Sequence, residues 1–284
     1  MITRFAPSPT GPMHLGHVYS ALLAYNMAAA VGGKFLLRIE DIDRSRSRPE
    51  WEVKIFEDLR WLGLSWPHPV MRQSDQLARY GETLAWLRTS NYVFACTCSR
   101  RDVVDAIAAP QEGAEVPTGP DGIIYPGTCR SKRTTSQNNL KDVALRLSMS
   151  LAVGEKVFSF HETGQGPNGE TGLIEFTAQD AIHNIGDIVL SRRDMGTSYH
   201  LSVVLDDAAQ GITHVVRGQD LFETTKIHVI LQVLLGVPTP IYHHHSLIRD
   251  DAGKRMAKRD DARAIAKYRS EGFSPKDVCI MVGL

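Results

Sequence analysis

The 284-residue chain lacks any run of about 18 uninterrupted apolar residues, the length a membrane helix needs, so no membrane partner is expected. Its most apolar early stretch, residues 21–31, is interrupted by Asn26 and follows two His and three Pro instead of a basic segment; it reads as a folded helix and not as a signal peptide. Cysteine is scarce. Four Cys in this length do not make a disulfide framework, and Cys96 and Cys98, one residue apart, suggest a metal rather than a bridge, so a metal and a cytoplasmic compartment are the expectations. Net charge is also missing: Lys+Arg 32 against Asp+Glu 32 excludes wrapping of nucleic acid by general basicity. There is no internal repeat and no low-complexity tract. With 43% apolar and 23% charged residues the composition is that of an ordinary globular chain, long enough for one large domain or two smaller ones.

What the chain does have is an α/β pattern. Residues 2–5 form an apolar strand, and the loop Ala6-Pro7-Ser8-Pro9-Thr10-Gly11-Pro12 follows it. A helix then carries Leu15, Val18, Leu22, Tyr25 and Ala29 at helical spacing, and residues 35–39 form a second strand. Strand, loop, helix, strand is the unit of parallel sheets. Helices are expected at 49–62 and 75–87, the second capped by Ser74. Further strands are expected at 143–147, 157–160, 173–176, 187–191, 212–216 and 241–248, and further helices at 197–209 and 225–235. Two short helices close the chain, the last with Ser274 as cap and Pro275 at its first position.

Four parts follow from this pattern. Residues 1–91 are the first half of a Rossmann-like catalytic domain, and 92–133 an inserted module. Residues 134–250 hold a subdomain and the second half of the catalytic domain, and 251–284 a basic loop with terminal helices. The basic residues are bunched at Arg44, Arg46 and Arg48; at Arg100 and Arg101; at Arg130, Lys132 and Arg133; and at Lys254, Arg255, Lys258 and Arg259. Each bunch could be a solvated surface or a handle for a structured RNA.

His14-Leu15-Gly16-His17 sits where the first loop enters the first helix, and a helix N-terminus favours phosphate. Two imidazoles there can donate to a triphosphate as charge builds during attack at its α-phosphorus, and Gly16 leaves room for a flat base. The late run Lys254-Arg255-Met256-Ala257-Lys258-Arg259 can close over ATP and stabilise departing pyrophosphate. Arg4 and Arg217 lie at strand ends, where α/β sheets bind ligands, and each offers a fork suited to a carboxylate. Cys96-Thr97-Cys98, then 26 residues, then Tyr125-Pro126-Gly127-Thr128-Cys129 supplies three thiols and a phenol for zinc. Asp41 and Asp43 read as loop and helix-capping residues, and His243-His244-His245 as strand and loop surface.

The run from Arg4 to His17, the segment Arg38-Ile39-Glu40-Asp41-Ile42-Asp43 and the late basic loop resemble class I glutamyl-tRNA synthetases, and within them the short glutamyl-Q tRNA(Asp) paralogues. The resemblance implies a Rossmann-like class I catalytic domain with a small inserted zinc-binding module and a short helical end. It implies His14 and His17 as the signature histidines and catalytic residues, with Gly16 and Lys258 completing the ATP site. The signature loop departs from its usual lettering at Arg255, Ala257 and Arg259, while Lys258 keeps the ATP-contacting position. Arg4, Ala6, Ser8, Glu40, Tyr199 and Arg217 are implied for glutamate, and Cys96, Cys98, Tyr125 and Cys129 for one Zn²⁺ per chain. Mg²⁺ would accompany ATP as substrate. The implied reaction is activation of L-glutamate without tRNA, then transfer to queuosine in tRNA(Asp). Only 25 residues follow Arg259, too few for an anticodon-binding domain. A truncated ordinary synthetase, a related HxGH nucleotidyltransferase and a zinc-bearing RNA-binding module are the competing readings. A monomer is expected.

Overall fold

The structure, a computed structural model, describes residues 1–108, 116–131, 143–248 and 264–284. Strand β1 (Ile2–Phe5) pairs in parallel with β2 (Lys34–Ile39), which pairs in parallel with β3 (Met71–Arg72). Helix α1 (Leu15–Ala29) makes the crossover from β1 to β2. A second parallel set places β12 (Ile241–His245) between β11 (His214–Gly218) and β8 (Val157–Glu162), and β9 (Gly172–Thr177) adds antiparallel to β8. The two sets meet at β1 and β11, where the Thr213 N–H donates to the Ile2 carbonyl at 3.0 Å. Chain order breaks at that junction, and such a break opens a ligand crevice beyond the strands' carboxyl ends.

Apolar side chains fill both faces. Phe5, Leu37, Ile39 and Val216 share a core with α1, α2 (Pro49–Trp61) and the C-terminal helices α9 (Ile265–Ser270) and α10 (Pro275–Met281). Val215, next along β11, faces the other core with helices α7 (Tyr199–Ala209) and α8 (Phe222–Leu235). A separate antiparallel sheet runs β10 (Val189–Ser191), β7 (Ala144–Leu147), β4 (Val93–Cys96). Helix α4 (Arg100–Ala108) follows β4, and the hairpin β5 (Thr118–Gly119) and β6 (Gly122–Ile123) lies beyond it. Helices α3 (Leu77–Thr89), α5 (Met149–Val153) and α6 (Ala178–Asn184) complete the described elements.

Two local expectations are corrected. Ser74 does not cap α3. It sits in a 3-10 turn, and its N–H and Oγ both donate to Asp41, at 2.8 and 2.6 Å. Of the three consecutive histidines two are not surface: His244 is 1% exposed and His245 7%, while His243 is half-buried. Strand alternation exposes one face only at a sheet with an open side, and β12 is flanked by strands on both edges and packed on both faces.

Candidate active site

A cavity of about 360 Å³ opens at the carboxyl ends of β1, β2, β11 and β12. Arg4, Ala6, His14, Gly16, His17, Glu40, Tyr199 and Arg217 all line it, as do Ser20 and Asp220, which carry no role in the sequence reading, and His245, which reads there as surface. Ser8 is exposed and not among the lining residues; Lys258 lies outside the described residues.

The paired histidines cap α1. His14 Nδ1 accepts from the Gly16 N–H at 3.2 Å, and His17 Nδ1 accepts from the His14 N–H at 3.2 Å. Each ring therefore carries its proton on Nε2 and presents that nitrogen as a donor. The ring centroids are 3.8 Å apart, so the two donors sit side by side at a helix N-terminus whose first turn holds no acid. That is an arrangement for a phosphate.

The far wall is a buried charge network. Asp207 accepts from Arg4 Nε at 3.0 Å and Nη2 at 3.3 Å, and from Arg38 Nη1 at 2.7 Å. Arg38 also donates to Glu40 Oε1 at 3.1 Å. Asp206 accepts from Gln73, Tyr80 and Arg79. Burial pushes the Asp207 carboxyl up, but Arg4 and Arg38 pull harder and hold it below the usual range. Burial wins at Glu40, which is raised despite Arg38. Arg4, Arg38 and Arg79 thus face three carboxyl groups: Glu40, Asp206 and Asp207.

Arg217 is different. Its donors go to His244 Nε2 (3.2 Å), His228 Nδ1 (3.2 Å), the Leu221 carbonyl (3.3 Å) and Thr225 Oγ1 (2.6 Å). All four acceptors are uncharged, since an imidazole nitrogen that accepts from a guanidinium has no proton. Burial, then Arg217 itself, holds His228 well below the ordinary imidazole range, and burial lowers His244. Among the described residues no carboxylate lies within ion-pairing distance of Arg217. Among the described residues its charge is the one in the cavity wall without a local counter-ion, at a residue only 6% exposed.

A second cluster lies outside the cavity. The Cys96, Cys98 and Cys129 sulfurs all lie within 4.8 Å of one another, and Tyr125 Oη is 3.4 Å from Cys96 Sγ and 3.5 Å from Cys98 Sγ. Zinc–thiolate bonds of about 2.3 Å put tetrahedral ligands about 3.8 Å apart, so the four groups match a zinc shell in size and chemistry. Burial raises the Cys129 thiol, but hydrogen bonds led by that with Tyr125 bring it down to about 6.

The whole chain, residues 1–284, matches the family model described as "tRNA synthetases class I (E and Q), catalytic domain". The chain belongs to this family. A protein named glutamyl-Q tRNA(Asp) synthetase from Rhodobacter capsulatus is 60% identical over 100% of both chains. One of the same name from Nocardia farcinica is 38% identical over 98% of this chain and 82% of its own. Among solved structures, a glutamate tRNA ligase from Elizabethkingia meningosepticum in complex with its amino acid superposes with a TM-score of 0.78 at 27% identity; this chain spans 60% of that protein. The protein is therefore a class I aminoacyl-tRNA synthetase-like ligase with the α/β catalytic fold of that class. Among the described residues no helix is long and apolar enough to cross a membrane.

Seen as a synthetase of this class, the chain carries groups that sequence reasoning missed: Arg38, Asp206, Asp207, His228, His244 and Thr225. The pair Asp206-Asp207 stands one turn from the end of α7, and two adjacent acids in a buried helix were the available signal. Of the basic bunches, Arg130 is tied to the fold on one side: its Nη2 binds the buried carboxylate of Asp187 at 2.7 Å. Lys132, Arg133 and the run from Lys254 to Arg259 lie outside the described residues. Asp41 and Asp43 serve loop hydrogen bonds, with Ser74 and with Ser45 and Arg46.

Proposed function

We propose that this enzyme activates L-glutamate with ATP and transfers it to the queuosine base of tRNA(Asp). The observation that carries the choice of amino acid is Arg217, a buried cation held by neutral acceptors. A substrate side chain that brings a carboxylate supplies the missing counter-ion, whereas an amide supplies none. Arg4, already saturated on one side by Asp207, and Tyr199 border the same space. Glu40 faces the cavity with a carboxyl group that can accept from the ammonium; Ala6 and Ser8 complete the glutamate set expected from the sequence.

In the first step an oxygen of the glutamate α-carboxylate attacks the α-phosphorus of ATP. A carboxyl–phosphate bond forms and pyrophosphate leaves. The Nε2–H donors of His14 and His17 stabilise the charge that builds at phosphorus, and Lys258 is assigned to the leaving pyrophosphate by its motif. Mg²⁺ enters as part of the ATP substrate. In the second step the acceptor attacks the acyl carbon and AMP leaves. Zinc on Cys96, Cys98, Tyr125 and Cys129 would hold the inserted module together, away from the reacting atoms. The enzyme acts as a cytoplasmic monomer on this reading.

The full-length match to the Rhodobacter capsulatus relative supports the modified base as acceptor over the terminal adenosine of tRNA(Glu). The test is labelled glutamate with queuosine-containing tRNA(Asp), queuosine-free tRNA(Asp) and tRNA(Glu). Label confined to the first is expected, after ATP–pyrophosphate exchange that needs no RNA. Labelling of tRNA(Glu), or of both tRNA(Asp) forms equally, refutes the acceptor assignment.

A further inference from the structure

The hydrogen bonds of Arg217 have a direction. A guanidinium only donates, so the 3.2 Å contact fixes a lone pair on His228 Nδ1 and places the ring's proton on Nε2. That N–H donates to His200 Nδ1 at 3.3 Å, which puts the His200 proton on Nε2, and this N–H donates to Asp121 Oδ1 at 3.1 Å. Four groups are thereby ordered in one sense, from Arg217 to a carboxylate. A second arm, from Arg217 through His244 to Glu162, stays within the main sheet. There Glu162 is pinned by the N–H groups of His244 (2.8 Å) and Gly164 (2.7 Å).

The first arm leaves the sheet. Asp121 occupies the turn of the β5–β6 hairpin, between Cys98 and Tyr125 in sequence, so it belongs to the stretch that carries the thiol cluster. The hairpin is seated closely: a Cβ on Gly119 would come within 2.3 Å of the Asn184 carbonyl oxygen, and one on Gly186, at φ +71°, within 2.8 Å of an Ile124 methyl carbon. The carboxylate is thus anchored by backbone contact, 34% exposed at its outer side, while both imidazoles inward of it are buried.

We propose that Asp121 and His200 are positioning residues: they hold His228 as the Nε2–H tautomer, and through it they fix the Arg217 fork, so that the inserted module sets the amino-acid affinity of the pocket. This rests on the reading of Arg217 as the ligand of the substrate carboxylate. Ring packing alone does not account for the arrangement, because a chain of three matched donor–acceptor contacts is unnecessary for packing.

The test compares Asp121→Ala, Asp121→Asn, His200→Phe and His200→Asn in the full chain. Exchange kinetics give KM for glutamate, KM for ATP and kcat, and ¹⁵N NMR of the imidazoles gives the His228 tautomer. Asp121→Ala should raise KM for glutamate five- to tenfold with KM for ATP unchanged. Asp121→Asn, whose amide oxygen accepts the same proton, should stay within twofold of the wild type. His200→Phe keeps the ring and loses both links, so it should exceed Asp121→Ala; His200→Asn, with an oxygen near the Nδ1 position, should recover part of the loss. Unchanged glutamate KM in Asp121→Ala, or equal rises for both substrates, overturns the proposal. If the wild type fails to exchange with glutamate, the reading of Arg217 has failed. The spectra then decide the positioning chain alone: a pure Nε2–H signature that is lost in Asp121→Ala supports it, and an Nδ1–H signature, or no change, sinks it.

Discussion

Replacing Arg217 with Gln tests the central electrostatic argument. The side chain is 6% exposed, and among the described residues its donors meet only neutral groups, so a bound carboxylate would be the partner that neutralises it. Removing one partner of a buried, hydrogen-bonded charge pair costs roughly 2–5 kcal/mol. At about 1.4 kcal/mol per factor of ten, that is thirtyfold to several thousandfold in affinity. Arg4 and Tyr199 remain at the wall, which favours the lower half of the range. We expect KM for glutamate to rise about a hundredfold or more in ATP–pyrophosphate exchange. KM for ATP should stay within threefold, because His14 and His17 make no contact with Arg217. Arg217→Lys keeps the charge and loses the planar fork, so it should fall between the two. Stability must be followed in parallel: Gln leaves His228, His244 and Thr225 short of a donor, and stranded buried acceptors cost about 1–3 kcal/mol. A folded Arg217→Gln enzyme with glutamate KM within threefold of the wild type would refute the reasoning.

Metal analysis should find about one zinc per chain in freshly purified protein, lost in Cys98→Ala; protein without zinc would remove the metal assignment. Lys258→Ala should slow glutamate activation by about an order of magnitude or more with an unchanged melting profile, as expected for lost transition-state charge stabilisation; normal exchange would move the role to Lys254 or Arg255. Burial raises the Asp58 carboxyl to about 6. A carboxyl raised in the fold is most favourable when protonated, so its contribution is present below the unfolded value near 4 and is lost as pH rises through about 6. Asp58→Asn should therefore be the more stable form at pH 7, by at most about 3 kcal/mol, with the gain gone at pH 4. Calorimetry at both pH values decides it, and equal melting temperatures at pH 7 would contradict the shift.

Much of the cavity was legible because its groups sit in contiguous runs. His14 and His17 flank a helix start, Arg4 and Glu40 end the first two strands, and their chemistry needs no knowledge of distant partners. The parallel sheet was legible for the same reason: strand, loop and helix repeat within a few tens of residues. What escaped was assembled across the chain. Asp207 is bound by Arg38 from 169 positions away and by Arg4 from 203, and nothing local to either side records the pairing. Short elements escaped too. The two-residue strands β3, β5 and β6 carry no periodicity, and α4 is only nine residues long. His244 and His245 read as surface because a basic loop follows them in sequence, whereas the fold gives their strand neighbours on both edges.

Charge is the clearest case of information that only folding supplies. In the sequence Arg4 and Arg217 have equal standing as strand-end forks, nothing marks Arg38 and Arg79 as their neighbours, and 32 basic residues match 32 acidic ones. The fold breaks that equality. It spends Asp206, Asp207 and Glu40 on Arg4, Arg38 and Arg79 and turns Arg217 toward imidazoles, a hydroxyl and a carbonyl. Both choices engage the arginine by hydrogen bonds, but among the described residues only the second leaves its charge unmatched. Because a buried cation without a counter-ion is costly, such a site persists where a ligand supplies the anion. On the proposed reading of Arg217, the specificity of the pocket resides less in having an arginine than in denying it an acid, and the neutral His228 and His244 are the means of that denial.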